Sequence, residues 1–121
     1  MKTFIISLVI FFAVLALTIY NAKYIDSSSD KLTTLAENIL TKNQDKDAKI
    51  TELENFWKKS KTKLEISANH TLINSLGLKI KNIRFYYENG EALSMKREIM
   101  LLKEELRELR QLEKISFDNI F

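Results

Sequence analysis

His70 is the only histidine in the chain, and no cysteine accompanies it. Paired imidazoles or thiolates, the usual basis of a zinc site, are therefore out of reach. Glu104, Glu105 and Glu108 could in principle share a proton, but they interleave with Lys103, Arg107 and Arg110. At helical spacing that pattern is a solvated face whose charges pair with one another. Two glycines cannot form a phosphate-cradling loop. No nucleophile stands beside an activating base. The expectation is that the chain has no catalytic, cofactor-binding or metal-binding residues and is not an enzyme.

Seven side chains remain as candidates for contact rather than chemistry: Trp57, His70, Tyr86, Tyr87, Asn119, Ile120 and Phe121. Trp57 falls on a central apolar position, where truncation to Ala would cost roughly 3–5 kcal/mol if it is buried. His70 sits at an expected joint between helices, either bonded to the joint backbone or available as a pH-responsive or partner-facing group. Tyr86 and Tyr87 close the third apolar segment, and with Trp57 and His70 they could line a ligand pocket in a bundle core. The tail Lys114–Phe121 carries Ile115, Phe117, Ile120 and Phe121, too apolar to stand in water, and is expected to dock on the bundle or on a partner.

These residues must be held by the rest of the chain, and the strongest positional constraint comes first. Phe4–Tyr20 is seventeen consecutive residues without charge, Gly or Pro, and the uncharged window widens to twenty from Thr3 to Ala22. As a helix, twenty residues span about 30 Å, the thickness of a bilayer core. A cleaved signal peptide would need small residues at −3 and −1. Val14-Leu15-Ala16 is a tolerable match that would leave Leu17–Tyr20 exposed, and Asn21-Ala22 puts Tyr20 at −3. The run is thus expected to be an uncleaved signal-anchor over residues 1–23, single-pass in the cell membrane. Flanking Lys2, Lys23 and Lys31 nearly cancel as a topology signal against Asp26 and Asp30. A basic start before an apolar run favours the amino end inside and the remainder extracytoplasmic.

Composition supports helices elsewhere. The 121 residues contain no Pro, and nineteen Lys and Arg stand against sixteen Asp and Glu, a net charge of +3. With Lys2 and Lys23 assigned to the anchor, the rest holds only about +1, no footprint for nucleic acid. Lys58, Lys59, Lys61 and Lys63 could touch anionic lipid or simply form a solvated face.

After a polar joint expected at residues 24–30, ending in N-cap types, four segments repeat one spacing. They run Leu32, Leu35, Ile39; then Ile50, Leu53, Trp57, Ser60, Leu64; then Ile73, Leu76, Ile80, Ile83, Tyr87; then Ala92, Met95, Ile99, Leu102, Leu106, Leu109. Alternating steps of 3 and 4 place these on one stripe of a helix and suit shallow helix–helix packing, as in bundles and coiled coils. Second apolar positions (Phe56, Ile66, Leu72, Phe85, Tyr86, Leu93, Met100, Leu101, Leu112) predict that each helix touches two neighbours. Between the segments, Asp45 or Asp47 and then Asn69 are expected caps. Asn89-Gly90 is expected to end the third helix with Gly90 left-handed. Gly77 lies inside that helix at a cost of about 1 kcal/mol, either to permit a close crossing or merely tolerated. The fold class expected is all-α: an N-terminal transmembrane helix followed by an antiparallel bundle of about four helices over residues 31–121. The third and fourth stripes could also pair between chains, which leaves a homodimer open.

A short amino tail, one anchor, an acid- and lysine-rich helical domain, Trp57 followed by lysines, the lone His70 and the closing Asp118-Asn119-Ile120-Phe121 together resemble a known family. It is the set of small Firmicutes proteins grouped as domain of unknown function 4363. In that family the histidine commonly stands in an Asp-His-x-Glu-Ile-Asp-like pattern. Here the stretch is Asn69-His70-Thr71-Leu72-Ile73-Asn74, so His70 and Ile73 match while the three acids are missing. The resemblance implies no established activity, and the missing acids remove the basis for a charged or metal-binding role. The resulting expectation is a membrane-anchored scaffold or accessory subunit that binds another membrane or envelope protein, the alternative being a small-ligand or lipid sensor.

Overall fold

A computed structural model describes residues 2–41, 44–67 and 70–120, with the side chains of 21, 66, 67 and 113–120 outside the description. Four helices follow in order: α1 Lys2–Thr41, α2 Lys46–Ser67, α3 His70–Glu88 and α4 Ala92–Ile120. The packed pairs are α1 with α2, α2 with α3, α3 with α4 and α4 with α1, so the helices form a ring, with no diagonal pair packed among the described residues. Cross-helix pairs run in opposite senses: Lys31 meets Phe56 and Lys63 meets Tyr24, while Lys103 meets Glu37 and Arg110 meets Asp26. Each neighbour is therefore antiparallel, the arrangement that short connections impose.

The 3–4 stripes supply the core. Leu32, Leu35 and Ile39 of α1 are buried with Ile50, Leu53, Trp57 and Leu64 of α2. Ile73, Leu76, Ile80 and Ile83 of α3 complete the interior with Met95, Ile99, Leu102, Leu106 and Leu109 of α4. Only the stripe ends depart: Tyr87 is half-buried and Ala92 is exposed.

Residues 24–30, expected as a polar joint, are helix instead. α1 runs without interruption from the apolar segment into the bundle for 40 residues. The reason lies in spacing that the serines hide: Ile25, Ser28, Ser29 and Leu32 continue the stripe, and all four are buried. Small hydroxyl residues suit a close helix contact; the Thr33 hydroxyl donates to the Ser29 carbonyl at 2.8 Å, while the Ser29 Oγ is buried without a hydrogen-bond partner. The bundle's buried stripe therefore begins at Ile25, not after residue 30.

The turns behave as their residues suggest. Asp45 takes a left-handed φ of 56° and its carbonyl accepts from Lys49 N, which makes it the residue that starts α2; Asp47 sits in the first turn, favourable to the helix dipole. At the end of α3, Gly90 has φ 71°. Its N–H donates to Tyr87 O while Glu91 N–H donates to Tyr86 O, the Schellman pattern. Glu91 O then accepts from Met95 N, so one residue closes α3 and opens α4. Asn69, the expected cap of α3, lies outside the described residues.

The second apolar positions divide. Phe56, Leu72 and Tyr86 pack against the core, as a two-neighbour helix requires. Phe85, Leu93, Met100, Leu101 and Leu112 do not; they are exposed, because each helix in the ring turns its remaining face outward. Ile66 lies among the undescribed side chains.

Candidate interaction surfaces

α1 carries the first surface. Phe4–Tyr20 stands clear of the bundle, and its most apolar window is wholly unburied. Among the described residues it is the one helix long and apolar enough to cross a membrane.

The second surface is the outer face of α4. Leu93 is 85% exposed, and Met100, Leu101 and Leu112 are also open to solvent. A helical turn of 100° per residue puts these four on the side opposite Met95, Ile99 and Leu106. Arg97, Glu104 and Arg107 lie among them, with Arg107 donating to Glu104 within its own helix at 2.9 Å. Apolar groups framed by both signs of charge resemble the make-up of a protein contact patch.

A third feature lies between α2 and α3. Trp57 is only 8% exposed, and a Cβ added at Gly77 would lie 3.4 Å from its Nε1. At that distance a Cβ would make only an ordinary van der Waals contact, so the crossing accommodates the glycine without requiring it. A groove of about 660 Å³ opens beside this contact, floored by Trp57, Ile73 and Ile80 and edged by Lys58, Lys61 and Lys81. It lies at the surface, not within the core.

The residues expected to share a pocket do not converge. His70 is the exposed first residue of α3, and Tyr86 and Tyr87 are at its other end. Sixteen residues separate His70 from Tyr86, about 24 Å along the helix. Trp57 lies between these ends, level with Gly77. Tyr86 meets the neighbouring Phe85 edge-on, with ring centres 5.7 Å apart. The side chains of Asn119 and Ile120, and all of Phe121, lie outside the described residues.

Polar clusters that the sequence left unassigned act as clasps. Arg84 of α3 donates to Glu54 at 2.6 Å and to Thr51 at 2.8 Å, both on α2, and also pairs with Asp47. Its hydrogen bond to Glu54 leads the causes that raise its pKa above the ordinary arginine value, against the opposing effect of burial. On the other side of α3, Ser75 donates to Glu105 Oε1 at 2.7 Å and Lys79 approaches the same oxygen at 2.8 Å. Ser75 thus directs its proton at a carboxylate that Lys79 also engages, and the trio joins α3 to α4. Glu105 Oε2 is buried without a partner. Among the described residues, no three His, Asp or Glu side chains gather as a metal site would require. Clasps of this kind pair residues some thirty positions apart and leave no local signal in the sequence.

Neither a curated protein nor a solved structure matches the chain. The family model described as domain of unknown function (DUF4363) matches residues 19–120, beginning at the last two residues of the apolar segment and covering the part of the chain that forms the ring of helices. The chain belongs to that family.

Proposed function

We propose that this protein is a single-pass membrane protein whose helical bundle binds another membrane or envelope protein, as a scaffold or accessory subunit. The observation that carries the reading is the outer face of α4, where Leu93, Met100, Leu101 and Leu112 are exposed on one side of a bundle whose core is already filled. Tethering through Phe4–Tyr20 would confine that face to partners at the membrane. The role is a non-enzymatic one, with the amino end inside the cell membrane and the bundle extracytoplasmic.

A photo-crosslinking side chain at Met100, in native membranes, tests the partner. A specific neighbour captured from position 100 but not from the exposed Glu52 of α2 supports the reading; equal capture from both, or none, overturns it. Orientation is read separately. The chain has no cysteine, so Asn89→Cys with a membrane-impermeant maleimide on intact cells labels only if the bundle is outside.

The groove over Trp57 favours a second reading, a small-ligand or lipid sensor. Its three lysines over an apolar floor suit an amphiphile with an anionic head. Thermal shift of the full chain against such amphiphiles tests it, and an unchanged midpoint throughout would count against it.

A further inference from the structure

Arg97, Lys103, Arg107 and Arg110 of α4 line a groove of about 540 Å³, with Met100 and Leu101 between them and Thr33 of α1 at its side. Three of these cations are already paired within the chain. Lys103 meets Glu37 at 3.0 Å, Arg107 meets Glu104 at 2.9 Å, and Arg110 meets both Asp26 and Asp30. Arg97 is exposed and has no ion pair or hydrogen bond among the described residues.

Its immediate neighbours are apolar. Leu93, Met100 and Leu101 stand at the three- and four-residue spacings that make helix side chains adjacent, and all three are exposed. The other charges nearby are bonded elsewhere or set apart. Lys96, also exposed, is next in sequence and shares the α1 side with Lys103. Glu98 is buried on the α3 side and accepts from Asn82. Glu91, at the turn from α3, is about 9 Å from Arg97 along the axis, and Glu108 is about 16 Å away in the other direction. An open arginine among apolar side chains is the composition of an interface hot spot.

The fold restricts what can cover this face if α1 spans a membrane, the reading on which this inference rests. Residues 2–41 form one helix without Gly or Pro, so the direction of the span sets the direction of α4 as well. Two copies in one membrane therefore share a symmetry axis along the membrane normal, and every residue meets its counterpart at equal height. A symmetric pair joined through the outer face of α4 would set Arg97 against Arg97, Glu104 against Glu104 and Arg107 against Arg107. Like charges juxtaposed in this way oppose association. A second copy is a poor occupant, and the open guanidinium calls for a carboxylate.

We propose that the partner of the α4 face is a different protein, presenting a segment in which an Asp or Glu stands among apolar side chains. Its carboxylate sits on Arg97, and its apolar groups cover Leu93, Met100 and Leu101. The guanidinium offers a planar fork that a carboxylate meets with two parallel hydrogen bonds. Covered by apolar groups, the pair is shielded from water and fixes the height at which the partner engages the bundle.

The test uses the full chain in native membranes, with the photo-crosslinking side chain at Met100 and two differently tagged copies expressed together. The expected product carries one tag only, joins this chain to another protein, and has an Asp or Glu of that protein within about four residues of the crosslink. Arg97→Glu should lower capture about fivefold and Arg97→Lys by less. Exchanging the partner's acid for Lys should restore capture to Arg97→Glu, which a merely misfolded variant would not allow. A product carrying both tags would overturn the foreign partner. Capture indifferent to Arg97→Glu, or a crosslinked segment without an acid, would overturn the carboxylate contact and leave a partner at the α4 face standing. No capture at all would overturn the partner reading itself, and this inference with it.

Discussion

Arg110 in the second half of α4 donates from Nε to Oδ1 of Asp26 on α1 at 2.9 Å. The same guanidinium reaches Asp30, one turn further along, at 2.7 Å. Its hydrogen bond to Asp26 leads the causes that raise its pKa above the ordinary arginine value. One side chain thereby holds the stretch of α1 that leads from the apolar segment into the bundle. All three groups are substantially exposed, so the clasp should contribute no more than about 1 kcal/mol to global stability. Arg110→Met is expected to leave the unfolding midpoint nearly unchanged while hydrogen exchange quickens at the amides of residues 24–30. A uniform increase across α1–α4 would show instead that the clasp supports the whole fold.

Trp57 joins α2 to α3 through the interior. Trp57→Ala should cost about 3–5 kcal/mol in denaturant unfolding, and Trp57→Phe clearly less. Its fluorescence in the folded chain should resist an aqueous quencher; ready quenching would contradict the burial.

Gly77 is suited to a sharper prediction. The Cβ of an alanine would lie 3.4–3.7 Å from three indole atoms of Trp57, an ordinary van der Waals contact. Helix propensity then decides the sign, and Gly77→Ala should stabilise by up to about 1 kcal/mol. Gly77→Leu has no room over the indole and should destabilise. A loss on Gly77→Ala would mean that the crossing is tighter than these distances imply.

Gly90 is constrained by its backbone rather than its surroundings, since a Cβ there would meet nothing within 4 Å. With φ at 71°, Gly90→Ala should cost about 1–2 kcal/mol. Gly90→Asn should cost less, because Asn tolerates the left-handed region. Chemical denaturation of the two variants side by side checks the order.

Arg84 spans α2 and α3 with a planar fork that lysine cannot copy. Arg84→Lys is expected to cost about 1–2 kcal/mol, and a double-mutant cycle with Glu54→Gln should show the two residues coupled. The raised pKa of Arg84 means that its contribution is complete below the ordinary arginine value and is lost only as pH climbs beyond it. The measured coupling should therefore stay constant from neutral to mildly alkaline conditions.

Much of this architecture was legible from spacing. Steps of 3 and 4 bring side chains onto one helix face whatever the helix packs against, so the four buried stripes follow from local geometry. Asn89-Gly90 was legible for the same reason: a left-handed residue is a local requirement, and glycine meets it at little cost. The stretch 24–30 misled because serine and aspartate favour helix caps when only their own propensities are weighed. In the fold, burial of Ile25, Ser28 and Ser29 and the reach of Arg110 override that preference. His70, Trp57, Tyr86 and Tyr87 were grouped by residue type, and the length of α3 keeps them apart.

The sequence alone determined that the chain is helical, that an uncharged, mostly apolar run of seventeen residues lies before the bundle, and which face of each later helix is buried, because each of these depends on neighbours within a turn or two. The tertiary structure alone decided that the apolar segment and the first bundle helix are one rod, and that α4 keeps an unburied apolar side. It also decided that the lysines of α2 come level with Tyr24. These outcomes rest on contacts between residues thirty to eighty positions apart. Net charge adds up along a sequence, but an electrostatic surface depends on where a fold places each charge.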